Sequence, residues 1–160
     1  MKNQILLLLT IILVSSCASK KYKGDKFFFD HYALVVDDMD DSVDFYQKVF
    51  EIKEIHNGTE KSNIRWFSLG QHQELHIKEI EDHGIEIPKT VHMALTTRGP
   101  LIDFITHLNQ LDIEYFDWPG EKYAKSTRPD GVYQVYIQDP DGYWIEINDG
   151  LKRYDKKGKY

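Results

Sequence analysis

Short runs of alternating apolar and polar residues cover most of this chain, and they come twice in the same order. Residues 27–36 are rich in aromatic and β-branched side chains and predict a central strand. At period two, His31, Ala33 and Val35 share one face, and Tyr32, Leu34 and Val36 the other. Asp37-Asp38-Met39-Asp40-Asp41-Ser42 then supplies side-chain acceptors for free N–H groups and negative charge for the positive end of a helix. A helix is predicted over 42–50, with Val43, Tyr46 and Phe50 at 3–4 spacing on its apolar face. A calcium loop in those acids lacks the required glycine and ligand spacing. Strands follow at 51–56, 64–69 and 74–80, separated by the turn signals Asn57-Gly58 and Leu69-Gly70-Gln71.

Residues 81–89 are polar, interrupted by Gly84 and Pro88, and read as an internal linker. The pattern then restarts. A strand at 90–97 carries His92-Met93-Ala94-Leu95, which echoes His31-Tyr32-Ala33-Leu34. A helix follows with Leu101, Ile102, Phe104, Ile105 and Leu108 on its core side, and Asp103-Phe104 answers Asp44-Phe45. Further strands are predicted at 113–116, 132–138 and 143–148. The fold class is therefore α+β: two βαβββ modules, 27–80 and 90–150, in one domain over 27–150. Their strands are expected to form a U-shaped eight-stranded mixed sheet around a metal-binding cleft.

Duplication makes corresponding residues converge. His31 and His92 hold the same position in their first strands, each two residues ahead of an alanine. In the last strands, Leu75-His76-Ile77 matches Ile145-Glu146-Ile147. The Asp139-Pro140-Asp141-Gly142 turn delivers Glu146 into its strand, where a buried carboxylate needs a partner or a cation. His31, His76, His92 and Glu146 are a sound ligand set for one divalent ion such as Zn, Ni, Fe or Mn. Four protein ligands leave two positions at an octahedral ion for vicinal oxygens, where it acts as a Lewis acid. A lone histidine in a half-buried strand is ordinarily a hydrogen-bonded core residue; the repeat is what lifts these above that. Glu74 lies on the same face as His76, as an alternative ligand, a supporting acid or a proton acceptor. His56, His72, His83 and His107 read as surface residues; Lys125 and Arg128, in the loop ahead of Val132, read as solvent-exposed, with contact to an anionic substrate group as the alternative. Trp66, Tyr133, Tyr136, Tyr143 and Trp144 read as packing around the cleft, with Trp118 in a loop before Pro119.

In combination, His31-Tyr32-Ala33-Leu34, Ser42-Val43-Asp44-Phe45-Tyr46, Glu74-Leu75-His76-Ile77, His92-Met93-Ala94-Leu95 and the stretch from Asp139 to Glu146 resemble the vicinal oxygen chelate superfamily. That group contains glyoxalase I, bleomycin-resistance proteins, fosfomycin-resistance thiol transferases, extradiol dioxygenases and methylmalonyl-CoA epimerase. The resemblance implies a metal-dependent, lactoylglutathione lyase-like enzyme: a lyase or isomerase acting on a small vicinal-oxygen substrate through a metal-stabilised enediolate. An Fe(II) extradiol-type dioxygenase and a non-catalytic small-molecule binding or resistance module are the alternatives. Bacterial glyoxalase I typically has glutamate where this chain has His76, and uses its second glutamate as the base. Here Glu146 or Glu74 is left for that role. The resemblance also implies a homodimer, since some relatives complete their metal sites across the subunit interface.

Composition adds the setting. A chain of 160 residues holds one ordinary domain, and a formal charge of −6, spread through it, argues against nucleic acid as a partner. Residues 151–160, with Lys152, Arg153, Lys156, Lys157 and Lys159, form a basic tail. At the other end, Lys2, an apolar run over 5–14 broken only by Thr10, and Val14-Ser15-Ser16-Cys17 resemble a bacterial lipoprotein signal peptide over 1–16. That run is shorter than the roughly 20 apolar residues of a membrane span. Cys17 would be the lipidated first residue of a mature protein, and 17–26 the tether. It is the chain's single cysteine, so neither a disulfide nor a thiolate metal site is available. The expected location is the bacterial cell envelope, as a lipid-anchored periplasmic or outer-membrane protein, where glutathione is scarce.

Overall fold

A computed structural model of the protein describes residues 27–152. The signal segment, Cys17, the tether and the tail beyond Lys152 lie outside the described residues. The first module is β1 (His31–Val36), α1 (Met39–Phe50), β2 (Lys53–Ile55), β3 (Ile64–Gly70) and β4 (Gln73–Glu79). The second is β5 (His92–Thr96), α2 (Leu101–Gln110), β6 (Ser126–Thr127), β7 (Tyr133–Gln138) and β8 (Trp144–Asn148). The α+β class and the duplicated βαβββ order are those expected. The strands are arranged as two four-stranded mixed sheets, ordered β1-β4-β3-β2 and β5-β8-β7-β6. In each, the helix carries the chain across so that the first strand lies parallel to the last, and the other pairings are antiparallel.

That topology corrects the expectation for the opening strand, because β1 stands at the edge of its sheet and not in the centre. It also begins at His31. The ladder with β4 gives out at the bond from Glu74 N–H to Asp30 O, which leaves Phe27, Phe28 and Phe29 exposed ahead of it. The repeat equivalence holds at the level of register. Ala33 pairs with His76, which pairs with Trp66; Ala94 pairs with Glu146, which pairs with Tyr136.

Helix α1 starts three residues earlier than the apolar spacing indicates, since Asp38 is its N-cap and accepts from Asp41 N–H at 3.0 Å. Its buried face, Met39, Val43, Tyr46 and Val49, covers Leu34, Val36, Phe67, Leu75 and Ile77 of the first sheet. Leu101, Ile105 and Leu108 of α2 do the same for the second sheet, whereas Ile102 is 61 % exposed and not on the core side. Phe50 and Phe104 stack at 5.8 Å and join the two helices. The expected strand at 113–116 is reduced to single bridges from Phe116 to Tyr136 and to Lys122; β6 takes its place as the outer strand. Tyr115 is apolar enough to suggest a strand but is buried as part of the core. Among the described residues no helix is long and apolar enough to cross a membrane.

The modules are locked by a buried carboxylate. Asp139 accepts from the Tyr46 hydroxyl at 2.7 Å and from Tyr143 N–H at 2.7 Å, while the Tyr143 hydroxyl donates to Val35 O at 2.9 Å. Burial raises the Asp139 carboxyl from 3.8 to about 6, partly offset by those hydrogen bonds. The folded state therefore holds a proton that the unfolded state has released, and Asp139 costs stability as pH rises from about 4 to about 6. Wild type should lose about 2–3 kcal/mol across that window relative to the Asp139→Asn variant. Urea unfolding of both proteins at pH 4, 5, 6 and 7 measures this, and a difference that stays constant with pH contradicts it.

Candidate functional site

Glu146 reaches its place through the Asp139-Pro140-Asp141-Gly142 turn, in which Gly142 takes φ 83° and its N–H bonds to Asp139 O at 3.0 Å. On β8 it shares a face with Asn148, opposite Tyr136 and Gln134 of β7. The loop between α2 and β7 folds over this face, so Glu146 is only 4 % exposed. Both of its oxygens accept hydrogen bonds. Oε1 accepts from Arg128 Nη1 at 3.2 Å and Asn148 Nδ2 at 2.6 Å; Oε2 accepts from the Tyr136 hydroxyl at 2.9 Å. Burial, then the hydrogen bond and charge of Glu146, push the Tyr136 hydroxyl well above its ordinary range, which keeps it a donor.

His92 Nε2 lies 3.3 Å from Glu146 Oε2. Its other nitrogen, Nδ1, is 2.9 Å from Lys89 O, and a carbonyl only accepts, so Nδ1 carries the proton. Nε2 and Glu146 Oε2 are then close enough to be bridged by a second ring proton or by a cation. Two ligands about 2.0–2.1 Å from one ion stand roughly 3.0–3.4 Å apart, which the observed pair matches. One row away, the Gln134 amide bonds Ser126 Oγ at one end and has no partner at the other, the sole such buried side chain among the described residues.

Lys89 organises the surroundings. Its ammonium donates to the carbonyls of Asp117 and Trp118 and lies 4.7 Å from the Tyr136 ring centre and 4.8 Å from that of Trp144. Desolvation lowers its pKa, with the Asp117 charge acting in the opposite sense. The loop it pins carries Trp118, 44 % exposed, to 6.2 Å from the His92 ring.

The first module holds a different arrangement on the equivalent face. His31 Nδ1 is 2.7 Å from Asp30 Oδ2, and His76 Nε2 is 2.8 Å from Glu74 Oε2. His76 is sandwiched, with Trp66 at 4.1 Å and 6° on one side and His31 at 4.3 Å and 13° on the other. Parallel rings direct their in-plane lone pairs side by side, not at a common point. The four expected ligands are thus placed as two pairs, His31 with His76 and His92 with Glu146, one on each sheet.

Among the described residues, a set of three His, Cys, Asp or Glu ligand atoms within 4.8 Å of one another occurs at Asp37, His83 and Asp141. His83 was expected at the surface, yet its side chain is 6 % exposed. The linker tucks it against the turn before β8. His83 Nδ1 accepts from Ile85 N–H at 3.0 Å, which puts the ring proton on Nε2, 3.2 Å from Asp141 Oδ1. Asp141 also accepts from Asp37 N–H at 2.7 Å and Ser42 Oγ at 3.0 Å. The N–H of the imidazole already fills the place of an ion, and the trio is a clasp across three segments.

Asn148 and Lys89 were not singled out by the sequence as partners of the site, and Tyr136 and Arg128 were named there only as cleft packing and as a surface residue or contact for an anionic substrate group. Asn148 had a signal, two residues after Glu146 on the same face; Lys89 reaches the site from the linker and had none.

The family model described as Glyoxalase/Bleomycin resistance protein/Dioxygenase superfamily matches residues 28–147. Virulence protein STM3117 of Salmonella typhimurium is 27 % identical over 147 residues, covering 86 % of this chain and 98 % of that protein. Among solved structures, lactoylglutathione lyase from Agrobacterium tumefaciens superposes with a TM-score of 0.56 at 22 % identity, covering 79 % of this chain and 95 % of that one. The fosfomycin resistance protein FosX from Listeria monocytogenes gives 0.58 at 20 % identity, covering 76 % and 92 %. These structural likenesses extend the agreement in fold.

Removing the Lys89 ammonium tests its role. Lys89→Met keeps the stem but frees the Asp117 and Trp118 carbonyls, and should cost about 1–2 kcal/mol of unfolding free energy. Trp118 should then be more accessible to acrylamide quenching. Unchanged stability and quenching would show that the loop does not depend on Lys89.

Proposed function

This chain belongs to the Glyoxalase/Bleomycin resistance protein/Dioxygenase superfamily, and from that premise we propose that it is a metal-dependent, glyoxalase-like lyase or isomerase for a small substrate with vicinal oxygens. The superfamily usually binds a divalent metal ion. The observation that carries the reading is the His92–Glu146 pair, two acceptor atoms 3.3 Å apart with the outer nitrogen of the imidazole already committed to a carbonyl. His92 Nε2 and Glu146 Oε2 would hold the ion with His31 as a further ligand, while His76, stacked on His31 with its Nε2 on Glu74, would have to turn out of the stack to join them. His31 fits that role by the same logic, since Asp30 holds its Nδ1 and leaves Nε2 unengaged. When bound, Zn²⁺, Ni²⁺, Fe²⁺ or Mn²⁺ supplies Lewis acidity toward a carbonyl or enediolate oxygen.

The two carboxylates divide the remaining work. Glu146 accepts from Arg128, Asn148 and Tyr136 and faces His92, which leaves it no room for a substrate proton. Glu74 accepts from His76 through Oε2 alone, so its Oε1 is the better-placed proton acceptor between adjacent carbons. The exposed indole of Trp118 forms an apolar wall beside His92.

Two half-sites on separate sheets suit a homodimer in which a second copy brings the His31–His76 face up to the His92–Glu146 face. The lipoprotein-like start of the chain supports a setting in the cell envelope, with an anchor through lipid on Cys17. Outside the cytoplasm a substrate other than a glutathione adduct is favoured.

Grown in metal-supplemented medium, the protein should carry close to one divalent ion per chain by elemental analysis, and His92→Ala or Glu146→Gln should weaken binding at least roughly tenfold. Less than about one-tenth equivalent in wild type rules the reading out. Light scattering should return a dimer mass. In cells, Cys17→Ala should move the protein from the membrane fraction to the soluble fraction, and unchanged fractionation removes the anchor.

A further inference from the structure

Glu146 is buried and needs a counter-charge whether or not a metal is bound. Arg128 provides it. Its backbone is fixed by a tight turn between β6 and β7, where Arg128 N–H bonds to Val132 O at 2.8 Å and Gly131 N–H to Arg128 O at 2.9 Å. The turn thus sets the Arg128 backbone where its guanidinium reaches Glu146. Its fork is divided, with Nη1 on Glu146 Oε1 at 3.2 Å and Nη2 on Asp130 Oδ2 at 2.9 Å. A second anion thus stands ready to hold it.

We infer that Arg128 is the resident counter-ion of Glu146, a positioning residue that fixes Oε1, leaves Oε2 to the His92 side, and competes electrostatically with a divalent cation for the pair. The inference rests on the metal reading above and adds what sets the affinity. Asn148 separates the two halves of the role. It donates to the same oxygen, Oε1, at 2.6 Å but carries no charge. Loss of Asn148 removes positioning only. Loss of the Arg128 charge removes repulsion toward the incoming cation, and with it the charge that neutralises Glu146 in the metal-free protein.

The test is zinc affinity of the full chain, measured by competition with a chromophoric chelator, together with melting temperature with and without zinc. Arg128→Gln should bind Zn²⁺ roughly tenfold more tightly than wild type, melt lower without zinc, and be stabilised more by zinc than wild type is. Asn148→Ala should bind roughly fivefold more weakly. If both variants weaken binding, or Arg128→Gln leaves it unchanged, Arg128 is only a structural prop and the inference falls. Should the glutamine variant fail to fold, Asp130→Asn decides. With its second anion gone the guanidinium is left to Glu146 alone, so zinc binding must weaken, and an unchanged or tighter affinity overturns the proposal. Wild type that binds no zinc defeats the metal reading itself, and this inference with it.

Discussion

A single buried carboxylate organises the second half of this molecule. Glu146 sits on a strand whose other face is core, so the strand cannot turn it toward water without exposing Ile145 and Ile147. Everything near it answers that constraint. Tyr136 and Asn148 donate from the sheet, Arg128 brings charge from a turn, and His92 faces it through Nε2. The loop after α2 then covers the polar face, and Lys89 holds the loop down through two carbonyls and two aromatic rings. The stability of this region and its chemistry draw on the same contacts.

The two modules show how one scaffold diverges. Across the sheet from His76 stands Trp66, and across from Glu146 stands Tyr136. An indole opposite an imidazole gives a stack; a phenol opposite a carboxylate gives a hydrogen bond. Identical backbone register thus presents a flat aromatic surface on one sheet and a charged network on the other. Ala33 and Ala94, beside them on the first strands, are small and exposed.

What the sequence made legible was whatever repeats or alternates. Period two separated the faces of β1, and the echo of His31-Tyr32-Ala33-Leu34 in His92-Met93-Ala94-Leu95 located equivalent positions that the register then reproduced. Non-local choices were not legible. That β1 lies at an edge depends on which strand closes last. That 113–116 forms bridges in place of a strand depends on what the core accepts from Tyr115. His83 has the polar, glycine-flanked neighbourhood of an exposed residue, and only the approach of Asp141 from more than fifty positions away buries it. The stacking of His31 on His76 was equally invisible, because spacing fixes which face a ring is on and not how the ring lies.

The clasp of Asp37, His83 and Asp141 also bears on how the molecule is made. It joins the loop after the first strand to the turn before the last, and Tyr46 reaches Asp139 in the same turn. Contacts of such long sequence separation are slow to close and cannot form until the whole domain is available. A ribosome releases the chain from its N-terminus, so the first module emerges with the hydroxyl of Tyr46 and the peptide N–H of Asp37 still awaiting acceptors that are synthesised about a hundred residues later. Folding of the two modules is thereby coupled into one event, late in synthesis.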